Sequence, residues 1–60
     1  MNATDKENII KSAQTANLLM QDLRELLQSQ DPLLADIALE IVEQTAKIEQ
    51  RLKRLESVAK

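Results

Sequence analysis

A single proline, Pro32, stands near the midpoint of a 60-residue chain that has no glycine. Inside a helix, proline removes a backbone hydrogen bond and clashes with the preceding turn, at a cost of about 3 kcal/mol. At the first position of a helix it is tolerated, because the missing N–H would have had no intrahelical partner. Asp31 directly precedes it, and aspartate is among the best residues for capping a helix. The residue before a proline also avoids the helical region, which helps a preceding helix to end. Apolar residues recur at helical spacing on both sides of this break. The expected fold is all-α: an antiparallel two-helix hairpin with helices at about 5–29 and 32–59, one domain over 1–60.

The rival architecture is one kinked helix. Sevenfold spacing from Ile9 demands core positions at 30 and 37, whereas the second run counts from Leu34. A coiled coil absorbs such a jump of four as a stutter. Capping signals on both sides of the break favour the hairpin.

Thr4-Asp5-Lys6-Glu7 has the form of a capping box and sets the first helix to begin near Asp5. Ile9, Ala16 and Leu23 then repeat every seven residues, joined by Leu19 and Leu26 and by Ala13, Met20 and Leu27. These cover one broad face, as in a bundle helix. Ser12 interrupts it, while Ala13 and Ala16 are small enough to let a neighbouring helix come close. Ile10 and Leu18 fall outside the stripe, either as ordinary exposed residues or as the edge of a second contact.

The second helix repeats more strictly. Leu34, Ile41, Ile48 and Leu55 are seven apart, and Ala38, Thr45, Leu52 and Ala59 follow each by four. Ile37 and Val58 widen this stripe, and Gln44 and Arg51 wet its middle. A second stripe, Ala35, Leu39, Val42 and Ala46, lies about 120° around the helix. Two apolar faces exceed what one partner helix covers. The second stripe is therefore the expected interface with another chain.

Composition reaches the same need for a partner independently. A core of this size rarely supplies more than about 3–5 kcal/mol, and small scaffolds are usually stapled. The chain has no cysteine for a disulfide and no histidine for a common zinc site. It also has no aromatic residue, so packing relies on Leu, Ile, Val, Met and Ala. Association, with itself or with another helical protein, is the remaining source of stability. No apolar run approaches the ~20 residues that span a bilayer. The start of the chain lacks the basic-then-apolar pattern of a secretory signal, so a cytoplasmic protein is expected, with no membrane partner.

Charge is segregated along the folded hairpin. The loop half, residues 21–43, carries six acidic residues and only Arg24 as a base, whereas the open half carries seven bases and four acids. Part of this suits the dipole of the second helix, and Glu43–Lys47, Glu49–Lys53 and Glu56–Lys60 form favourable i,i+4 pairs. Stacked hairpins of this polarity should run in opposite directions, since exposed charges bias orientation more than they add stability. A two-fold antiparallel four-helix bundle follows as the expected assembly.

No constellation announces catalysis. Without His or Cys, a nucleophile–base pair would need a rarer type such as Ser–Lys, and nothing positions one. Asp36 and Glu40 share a helical face, as carboxylates on exposed helices commonly do. There is no glycine-rich phosphate loop. Small helical-hairpin phosphatases of aspartyl phosphate have a similar size, but the corresponding stretch here is Ala38-Leu39-Glu40-Ile41-Val42, without their Ser-Gln-Glu-Leu-Asp signature. No enzyme activity, metal or cofactor is expected.

The two near-equal runs, Asp31 at the bend, and Ala13, Ala16 and Ala38 set among larger residues give a layout that resembles the Rop (repressor of primer) proteins of plasmids. The resemblance covers nearly the whole chain and rests on architecture. It implies an antiparallel homodimer with small and large residues layered in a four-helix core. It also implies binding of paired RNA loops through polar and basic residues of the first helix, here Lys6, Asn8, Lys11, Gln14, Asn17, Gln21 and Gln28. The basic open end adds Lys47, Arg51 and Arg54 as candidate RNA contacts. The Rop proteins' central phenylalanine has no counterpart, and no aromatic side chain is present to stack on a base.

The leading expectation is a small non-enzymatic interaction or regulatory protein acting as a homodimeric helical bundle. One alternative is an RNA-binding regulator, whose affinity would fall steeply with salt. Another is a helical subunit or chaperone ordered by a cognate partner.

Overall fold

Every helix begins with backbone N–H groups that lack partners, so the residue that caps them fixes where the helix starts. In a computed structural model, which describes residues 2–59, that residue is Asn2 for the first helix. Its Oδ1 accepts from the Asp5 N–H at 2.7 Å. Helix α1 accordingly spans Ala3–Leu26 and starts two residues before the expected Asp5. Asparagine outranks threonine as a cap. The earlier start also leaves Asp5 in the first turn, where the dipole favours a negative charge.

Helix α1 stops three residues short of the expected 29. The Gln28 and Ser29 N–H groups donate to the Glu25 and Leu26 carbonyls, each at 3.1 Å, which tightens the last turn into 3₁₀ geometry. Ser29 Oγ then accepts from the Asp31 N–H at 3.1 Å. Asp31 is extended, with φ −84° and ψ 111°, as its position before Pro32 requires. Its Oδ1 accepts from the Leu33 N–H at 3.0 Å, and its carbonyl accepts from the Ala35 N–H. Helix α2, Pro32–Val58, follows at once, with Ala59 as its C-terminal cap. The connection turns without glycine and without a positive φ among the described residues.

The two helices pack side by side as an antiparallel hairpin with no strand among the described residues. Its extents are 45 × 14 × 11 Å and its radius of gyration is 14.0 Å. A compact domain of this length would have a radius of gyration of about 10 Å. The molecule is a thin two-helix layer. Among the described residues, no helix is long and apolar enough to cross a membrane.

The seam of that layer is lined with small residues. On α1 it buries Ala13, Ala16, Met20 and Leu23, with Ile9 and Leu27 half-buried at the ends. On α2 it buries Ala38, 1% exposed, and Thr45, with Leu52 half-buried and Ala59 buried beyond. The outcome differs from the expected stripes in one respect. Leu34, Ile41, Ile48 and Leu55, placed toward α1 by periodicity, are exposed, as are Leu19 and Leu26. Helix α2 turns its alanine and threonine side to its neighbour because those residues permit the closest approach of the two backbones, and density of contact rewards proximity.

Candidate interaction surface

A two-helix layer has two broad faces, and the grooves along the seam identify the residues on each. On one side, Asp5, Asn8, Ile9 and Ser12 of α1 line a shallow groove with Leu52 and Leu55 of α2. Leu19 and Leu26 lie seven and fourteen residues beyond Ser12, and Ile48 and Ile41 lie seven and fourteen before Leu55. Sevenfold steps return to the same side of a helix. Together with Ile37, four before Ile41, these residues set large aliphatic side chains along one face of the hairpin, with Asp5, Asn8 and Ser12 at its open end. Ile48, near the middle, is 53% exposed.

The opposite face carries a paired polar cluster beside the exposed Leu18 and Leu39. Its groove is lined by Ala13, Gln14, Asn17 and Leu18 of α1 and by Glu49, Lys53 and Glu56 of α2. The Glu49 side chain, 14% exposed, accepts from Lys53 Nζ at 3.3 Å and from Asn17 Nδ2 at 3.5 Å. Gln21 Nε2 donates in turn to Asn17 Oδ1 at 3.0 Å. Of the expected i,i+4 ion pairs, Glu49–Lys53 is closed, Glu43–Lys47 is not within ion-pair distance, and Glu56–Lys60 involves a residue outside those described.

The stripe expected to meet another chain falls on this polar side. Leu39 and Ala46 are seven apart and in register with Lys53. Ala35, Val42 and Ala46 are half-buried along the flank of the seam, and Leu39 is exposed. The candidate RNA contacts are dispersed. Lys6 borders a groove with Ile9, Ile10, Glu56 and Ala59. Gln14 belongs to the polar groove, and Arg51 and Arg54 line another with Leu55 and Val58. Lys11 and Lys47 are exposed on the outer sides of their helices. These six side chains do not share one groove. Among the described residues, no group of acidic side chains has the arrangement to hold a metal ion.

The chain exposes 4845 Å². A compact monomer of 6.8 kDa exposes about 3,950 Å². The excess of about 900 Å² is close to the roughly 800 Å² that each partner contributes to a protein–protein interface of standard size.

No protein-family model matches the chain, and no curated protein or solved structure matches it either.

Proposed function

We propose that this chain is a small, non-enzymatic interaction or regulatory protein of the cytosol that works as a homodimeric helical bundle. One observation carries the reading: apart from Met20 and Leu23, the buried seam holds small side chains, while most of the large aliphatic side chains are exposed. Ile37, Ile41, Ile48 and Leu55 are all exposed, whereas Ala13, Ala16 and Ala38 are buried. No large side chain is fully buried among the described residues. A lone hairpin of this kind removes little apolar surface from water, and the free energy of folding scales with that surface. A second layer supplies the missing burial.

The hairpins run in opposite directions, loop beside open end, because the loop half is acidic and the open half basic. This is the arrangement that the resemblance to the Rop proteins implies. Light scattering across a concentration series tests the reading. A mass of twice the 6.8 kDa chain at tens of micromolar supports it, and a single-chain mass throughout overturns it. Spin labels placed through Leu33→Cys report direction: in antiparallel dimers the two labels stand apart by most of the 45 Å length, and close labels would contradict that arrangement.

A further inference from the structure

We infer that two copies of this chain meet through the face that carries Leu19, Leu26, Ile37, Ile41, Ile48 and Leu55, and not through the Ala35–Leu39–Val42–Ala46 stripe. This rests on the homodimer reading above and adds which surface is used and what rims it.

Burial separates the two candidate surfaces. The six aliphatic residues are all exposed and lie on one side of the layer. On the other side, Glu49, Lys53, Asn17 and Gln21 satisfy one another, and Ala35, Val42 and Ala46 are already half-buried. Covering that side strips water from a paired polar network, and its large exposed apolar side chains, Leu18 and Leu39, are fewer than the six opposite. Covering the aliphatic side removes leucine and isoleucine side chains from water, which is the dominant favourable contribution to association. The alanines of the seam draw the two helices of one chain together. The larger residues then fill the space between two chains.

Charge on the rim identifies the occupant as a second copy. Asp22 falls between Leu19 and Leu26, and Glu40 falls three residues beyond Ile37, so both border the aliphatic face in the loop half. Arg51 falls between Ile48 and Leu55 and lines a groove with Arg54, Leu55 and Val58 in the open half, where Asp5 also borders the face, so that rim holds two bases and one acid. A second copy turned end for end lays its basic rim over the acidic rim of the first, and the reverse holds at the other end. A two-fold interface must be self-complementary in this way.

Thiol labelling distinguishes the surfaces, because the chain has no cysteine of its own. Single variants Ile41→Cys and Leu39→Cys are treated with a maleimide at a concentration where light scattering gives two chains, and again after dilution to one. The inference expects Ile41→Cys to label at least roughly tenfold more slowly in the dimer, and Leu39→Cys to label equally fast in both. Leu26→Cys, on α1, repeats the measurement if Ile41→Cys itself weakens the dimer. Protection at Leu39→Cys, with or without protection at Ile41→Cys, overturns the choice of face. So does a two-chain mass with all three thiols freely reactive. A single-chain mass for the unmodified protein at every concentration instead defeats the homodimer reading on which the choice depends.

Discussion

Along the seam between α1 and α2 the buried side chains are mostly small: Ala13, Ala16, Ala38 and Thr45. On the face beside it the exposed side chains are mostly large: Leu19, Leu26, Ile37, Ile41, Ile48 and Leu55. An ordinary monomer reverses this distribution, with branched aliphatics inside and alanine anywhere. The contrast divides two tasks between two regions. Small residues set how closely the helices of one chain approach. In the proposed dimer, the large residues carry the apolar area that a marginal fold still has to remove from water.

The contrast is broken most severely at its outward side. Ile48→Asp puts a carboxylate into the proposed contact twice per dimer, and an uncompensated buried charge costs roughly 3–5 kcal/mol each. The expected result is a single-chain mass at tens of micromolar and a large loss of helical circular dichroism. On a free monomer surface the same change would move the melting temperature little.

Ala38→Leu strikes the seam instead. Ala38 is 1% exposed, so the added carbons have no space, and overpacking costs about 1–3 kcal/mol. The expected result is a lower melting temperature with the two-chain mass retained, since the outward face is unaltered. Loss of the dimer with no change in helix content would show that the seam and the face are not separate.

Asp31→Ala removes the side chain that accepts from the Leu33 N–H at 3.0 Å. A lost cap of this type costs about 0.5–2 kcal/mol, measured by denaturant unfolding at fixed protein concentration. Lys53→Ala gives the smallest effect. Its bond to Glu49 lies at the surface, where ion pairs contribute about 0–1 kcal/mol. A melting temperature within a degree or two of the unaltered protein is expected, and loss of the two-chain mass would contradict the proposed choice of face.

The hairpin itself was legible because its signals are local. Pro32, the Asp31 cap and the spacing of apolar residues each act within a turn or two of the chain. The helix ends shifted for equally local reasons. Asn2 and Thr4 both can cap, and only the fold shows that Asn2 does. The orientation of α2 was not legible. Leu34, Ala38, Ile41, Thr45 and Ile48 form one continuous stripe in the sequence, and periodicity does not say which edge of it turns toward α1. That choice depends on how near two backbones can come, which alanine decides and hydrophobicity does not. The same limit bears on the candidate contact. Ala35, Val42 and Ala46 look like an unpartnered face until α1 partly covers them, and Leu39 stays exposed on the polar side.

The account stands on the claim that the outward aliphatic face needs a second copy to cover it. The melting temperature of the unaltered protein over a hundredfold range of concentration tests this directly. Coupled folding and association predict a melting temperature that climbs steadily with concentration. A sharp, cooperative transition at one temperature across the whole range would contradict it.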